Sequence, residues 1–158
     1  MPDRSDIFAK RRLTVGQLRA VADRRFGDAE ALVATGDNAR ANGAQYLAGI
    51  VVEIRLKAEL VRMYPSVARQ RPHDVKDAER RVWNMIWRSH NLTEMLEQAT
   101  TLRASVDAAG ERAGRPYFEW LADICGRWTV FARYTSVTRT MGEARSMLER
   151  VRLLKEVM

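Results

Sequence analysis

Glu53 and Lys57 stand four residues apart, and with His90, Arg88, Arg133 and Tyr134 they make up the short set of side chains here that could move a proton or hold a phosphate. Side chains at i and i+4 are neighbours on a helix. The pair sits inside the stretch from Asn42 to Leu60, which reads as a nearly all-round buried helix carrying charges within its apolar surface. Numbered at about 100° per residue, Glu53 and Lys57 share a side with Tyr46, Gly49, Ile50, Leu60 and Tyr64, while Arg55, Glu59 and Arg62 gather on the sector expected to face solvent. A lone buried charge is too costly to persist, so the pair must be internally matched, bonded to other groups or open to a wet cleft. That leaves two readings, a structural ion pair linking helices and a catalytic or ligand-binding pair.

His90 precedes Asn91, whose spacing to Glu94 is that of a helix cap, so it reads as a general base, a phosphate contact or a residue of the capping region. Arg133 and Tyr134 follow an aromatic series, where the guanidinium could meet Glu53 or hold a phosphate. His73, between Pro72 and Asp74, reads as a surface histidine. Cys125 falls in step with Leu121, Ile124 and Trp128, the pattern of a packed thiol rather than a nucleophile.

Much chemistry has no residues to carry it. There is no glycine loop followed by Lys and Ser or Thr, no dinucleotide fingerprint and no pair of histidines at ligand spacing. Two histidines and one cysteine do not suit structural zinc, so neither a metal nor a cofactor is expected.

The elements that must position these residues are helical. A chain of 158 residues, 46% hydrophobic and 30% charged, fits one domain able to bury a core without disulfides. Apolar spacings of three and four dominate and period-two alternation is missing, which predicts an all-α, up-and-down bundle of five to six helices. They are expected over about 14–34, over 42–64 up to Pro65, over 75–88, from Asn91 past Val106, over 116–135 with Phe131 inward, and over 138–157. Residues 66–74 read as a loop. In the last helix Met141, Ala144, Leu148, Val151 and Leu154 form one stripe, available for internal packing or for a second subunit. A basic tail over 1–13, containing Lys10, Arg11 and Arg12, is expected to precede a single domain over 14–158.

The net charge of +7, with almost all the positive charge on arginine, makes an acidic partner plausible, although a solvated basic surface has the same composition. No apolar run reaches the roughly eighteen residues of a membrane span and the opening has no signal-like core, which points to a cytoplasmic protein without a membrane partner.

Three places resemble the HEPN superfamily of helical domains. Residues 43–53 followed by Leu56, Lys57 and Ala58 are similar to that family's second helix, with its small-residue start, Tyr-Leu pair and Glu before Leu-Lys. His90, Asn91 and Leu92 resemble its His-Asp-Leu segment, and Trp128 with Arg133 and Tyr134 resembles its Trp and Arg-Tyr segment. With the first helix these span about two-thirds of the chain, from Leu18 to Tyr134. The resemblance implies a helical bundle, often a homodimer, found in ribonuclease toxins, in partners of minimal nucleotidyltransferases and in defence systems.

Active ribonucleases of that family carry an Arg and, four to six residues later, a His. Here the residues at that distance from Arg133 are Thr138, Arg139 and Thr140. Neither threonine nor arginine exchanges a proton near neutral pH as histidine does. The expectation is a non-catalytic HEPN-like module that binds a nucleotide, a nucleic acid or a cognate partner protein in a groove near Glu53, Lys57, Arg133 and Tyr134. Two alternatives stand beside it: a metal-independent ribonuclease using His90 with Arg88 or Arg133, and a pure interaction protein that recruits a partner through its apolar last helix.

Overall fold

The computed structural model describes residues 12–158. Lys10 and Arg11 of the expected basic tail lie outside the described residues, while the Arg12 guanidinium donates to the Arg69 carbonyl at 2.5 Å.

Among the described residues every regular element is helical, in keeping with the all-α reading: α1 Val15–Ala34, α2 Ala41–Met63, α3 Pro65–Arg69, α4 Asp77–Trp87, α5 Leu92–Gln98, α6 Thr100–Ala113, α7 Tyr117–Arg127 and α8 Met141–Lys155, with 3-10 turns at Asn38–Arg40 and Val130–Tyr134. The eight α-helices exceed the expected five to six because a short helix forms where a loop was expected and one predicted helix is split in two, while another ends early. Pro65 opens a new helix instead of a loop, since its missing N–H costs nothing at a first helical position. Burial of Val67 and Ala68 holds that turn, and the indoles of Trp87 and Trp83 donate to the carbonyls of Ala68 and Gln70 at 3.2 and 3.1 Å. The helix expected from Asn91 onward breaks at Ala99, whose ψ of 59° leaves the helical region. The segment expected over 116–135 stops at Arg127, because Trp128 is extended (φ −75°, ψ 139°) and turns its indole back onto α2.

Capping fixes the main boundaries. Thr14 and Gln17 form a reciprocal capping box at the start of α1, and Thr140 with Glu143 repeats it at α8. Asn91 accepts from the Glu94 amide at 3.1 Å and starts α5 where the sequence placed it.

α1 and α2 form an antiparallel hairpin: Leu32 packs near Gly43 at one end, and Asp23 meets Arg55 further along. α2 is the central element, touching α1, α3, α4, α5, α7 and α8. Its Val51, Val52, Leu56 and Leu60 join Met85, Leu92, Met95, Leu121 and Leu154 in one core. The whole predicted stripe of α8, Met141, Ala144, Leu148, Val151 and Leu154, is buried. It is therefore spent on internal packing, which removes it as a surface for recruiting a partner.

Because so many helices surround α2, its expected solvent sector is mostly covered. Arg55 is 9% and Glu59 6% exposed, and only Arg62 points outward. Arg55 donates to Asp23 of α1 at 2.9 Å. Glu59 receives both arms of the Arg62 fork, at 2.8 and 2.5 Å, and the Thr101 hydroxyl at 2.8 Å. Phe131, expected inward, is instead 71% exposed, since the helix that would have turned it to the core ends four residues earlier. Among the described residues no helix is long and apolar enough to cross a membrane.

Candidate functional site

The middle of α2 brings together the three segments that the sequence singled out. Glu53 is 4% exposed, and Lys57 Nζ donates to its Oε1 at 2.7 Å. His90, from the link between α4 and α5, places Nδ1 at 3.0 and 3.1 Å from the two oxygens of the same carboxylate. An ionised carboxylate only accepts, so the shared proton belongs on Nδ1. His90 is half exposed and Lys57 nearly buried, so the triad runs from the core to the surface. One turn earlier on the same side of α2, Gly49 lies under the Trp128 indole. Trp128 Nε1 donates to the Tyr46 carbonyl at 3.2 Å, and the Tyr46 and Trp128 rings stack 5.8 Å apart.

Sequence reasoning placed Glu53 and Lys57 together but did not connect His90 to them, because no local spacing links residues so far apart in the chain. Arg133 is not among the partners of Glu53. It is exposed in the second 3-10 turn, its guanidinium 5.0 Å from the centre of the Tyr134 ring. Arg88 lies over the Trp83 ring at 5.1 Å. His73 is exposed beside Asp74.

A groove of about 620 Å³ opens next to Trp128, between the start of α2, the end of α7, the second 3-10 turn and the start of α8. Ile124, Trp128, Ala132 and Met147 supply apolar lining, and Arg127, Arg139 and Arg150 stand there with Asp123 and Glu143. Its far wall is the extended strap over 135–140, which two asparagines hold. Asn42 donates through Nδ2 to the Val137 carbonyl at 2.7 Å and accepts the Arg139 amide on Oδ1 at 2.8 Å. Asn38 accepts the Met141 amide at 2.7 Å. Neither asparagine was singled out in the sequence; their position just before and within the first turn of α2 is the one local signal. Glu53, Lys57, His90, Arg88, Arg133 and Tyr134 do not line this groove, although Arg133 and Tyr134 border it from the turn that contributes Phe131 and Ala132.

Two of the positions where the resemblance would place a histidine help start α8. Thr140 caps α8, accepting the Glu143 amide at 3.2 Å, and Arg139 pairs with Glu143 at 3.2 Å. Among the described residues no group of three His, Cys, Asp or Glu side chains could hold a metal ion.

Charge elsewhere is tuned by pairing and burial. Hydrogen bonds from Arg62 outweigh burial and, with Thr101 and the nearby charges of Arg62 and Arg19, hold the Glu59 carboxyl below its ordinary value. Burial pushes the Cys125 thiol up to about 12, so it is protonated and inert as a nucleophile at neutral pH.

Compared with known proteins, the chain matches no family model, no curated protein and no solved structure.

Proposed function

We propose that this chain is a non-catalytic HEPN-like module that binds a nucleotide, a nucleic acid or a partner protein on the face formed by the groove beside Trp128 and by the adjacent Arg133 and Tyr134. The observation that carries the reading is the meeting of the three family-like segments on one side of α2: His90 on Glu53, and Trp128 on Gly49. In this reading Glu53 and Lys57 are anchors, since a buried carboxylate must be matched and the ammonium and the imidazole match it. At the positions where the resemblance expects a histidine, Thr140 caps α8 and Arg139 pairs with Glu143. A homodimer, and a setting in toxin–antitoxin or defence systems, are further parts of the reading that rest on the resemblance alone.

One observation favours a second reading. A histidine oriented through Nδ1 by a buried carboxylate, with its other nitrogen on a half-exposed ring, is an arrangement that general bases use. A metal-independent ribonuclease would employ His90 in this way, with Arg88 or Arg133 as the cation.

Incubation of the purified protein with labelled RNA in the absence of metal separates the two. The non-catalytic reading expects intact RNA from wild type and from His90→Ala alike; cleavage by wild type that vanishes in His90→Ala establishes the ribonuclease. Binding measured at low salt, where phosphate contacts are strongest, then tests for nucleic acid as the ligand.

A further inference from the structure

Among the described residues, the large hydrophobic side chains left in solvent are concentrated in one place. Phe131, Tyr134 and Val137, 71%, 73% and 58% exposed, fall within the second 3-10 turn and the strap that follows it. They border the groove whose inner lining is Ile124, Trp128, Ala132 and Met147. Apolar surface that could have been buried but is instead gathered beside a concave lining marks an interaction site. The charged groups around it are unbalanced. Arg127, Arg139 and Arg150 line the groove and Arg133 stands beside it, against the carboxylates of Asp123 and Glu143.

We propose that this surface docks a segment of a partner protein that carries aromatic or aliphatic anchors and is rich in Asp and Glu. The inference rests on the binding-module reading above and names the class of partner. Arg127 pairs with Asp123, Arg150 lies 3.6 Å from the same carboxylate, and Arg139 lies 3.2 Å from Glu143. These pairs are solvent-exposed and weak, so the guanidiniums can turn to an incoming carboxylate. Peptide docking depends chiefly on a few anchors buried in an apolar pocket, with surrounding charge setting partner choice and association rate. Val137, Ile124 and Met147, beside the rings of Trp128 and Phe131, suit a Leu, Ile or Phe anchor. An excess of arginine over carboxylate at the rim selects the acidic peptide among those that carry such anchors.

The experiment is selection of random peptides displayed on phage against the full chain, followed by anisotropy titration of the enriched peptides. Titration of mixed-sequence single-stranded RNA runs in parallel. Enriched peptides should combine Asp or Glu with Phe, Trp, Leu or Ile. Their affinity should fall about tenfold or more in the double variant Phe131→Ala, Val137→Ser, the loss expected when anchor contacts are removed. The double variant Arg133→Glu, Arg139→Glu should weaken them further at low salt than at high salt. All variants should keep the wild-type helical circular dichroism, since the altered side chains are exposed.

Enriched peptides without acidic residues or apolar anchors, or binding unchanged in both variants, overturn the inference. RNA that binds and is lost in these variants, with no peptide enriched, also overturns it while leaving the binding module in place. Failure of both probes to bind overturns the inference and the reading on which it rests.

Discussion

Gly49 lies so close beneath Trp128 that a Cβ built on it would fall 2.0 Å from Cδ1 and Nε1 of the indole. Such a distance is well inside van der Waals contact, so only glycine lets the ring lie across the helix. The position explains a glycine in the middle of α2, where it otherwise costs about 1 kcal/mol relative to alanine.

Gly49→Ala should therefore destabilise the wild-type background by about 1–3 kcal/mol, the usual range for overpacking. In a Trp128→Ala background the same change should stabilise by up to about 1 kcal/mol, because only helix propensity remains. Urea unfolding of the four proteins of this cycle measures the reversal of sign. Equal effects in both backgrounds would place the indole elsewhere.

The Glu53 triad predicts unequal losses. Glu53→Ala leaves Lys57 buried without its partner and should cost about 3–5 kcal/mol, whereas the double change Glu53→Leu, Lys57→Met should recover most of that loss. His90→Asn, at the half-exposed end, should cost about 1 kcal/mol. Urea midpoints give the order, and a His90 variant as damaging as Glu53→Ala would contradict it.

Acid should weaken the junction of α2 and α6 through Glu59. Its carboxyl is held below the ordinary value of 4.5, so its contribution is complete above that pH and is lost as pH falls through the folded value. Asp23 acts with the same sign: partial burial raises its carboxyl, but the bonds and charges of Arg55 and Lys155 together lower it below 3.8. Glu59→Gln should cost about 1–3 kcal/mol at neutral pH and flatten the acid limb of a stability profile. An unchanged acid limb would mean that Glu59 titrates as it does in the unfolded chain.

Cys125 should resist labelling. With its thiol pushed up to about 12 and its side chain buried, it offers almost no thiolate at neutral pH. Modification by iodoacetamide should be negligible in the native protein and should rise with the urea unfolding transition. Rapid labelling without denaturant would place the thiol at the surface.

Removing the Asn42 amide should release the strap without unfolding the bundle. Asn42→Ala deletes both the bond to the Val137 carbonyl and that from the Arg139 amide, at a cost of about 1 kcal/mol. Hydrogen exchange at Arg139 should accelerate while the core amides of α2 keep their protection. Exchange that stays slow at Arg139 would mean that other contacts hold the strap.

Much of the scaffold was legible because amphipathic spacing and caps act locally. The whole stripe of α8 is buried as its periodicity predicts, and Asn91 caps the helix start it marks. The sequence also located the polar pair of Glu53 and Lys57, since the i, i+4 relation needs no knowledge of the rest of the fold. It could not foresee that α1, α6 and the end of α8 would cover Arg55 and Glu59, because a helical projection reports which residues share a face and not which neighbours cover it.

The amino-acid sequence by itself determined the helical class, the central apolar helix and its polar pair, all consequences of spacing within a few turns. Tertiary structure alone decided that His90 meets Glu53, that Trp128 ends α7 to lie on Gly49, and that Asn42 holds the strap carrying Val137. These contacts join residues 37, 79 and 95 positions apart. No local propensity encodes such a pairing; it follows from how the helices pack around α2, and that packing also leaves Phe131, Tyr134 and Val137 in solvent.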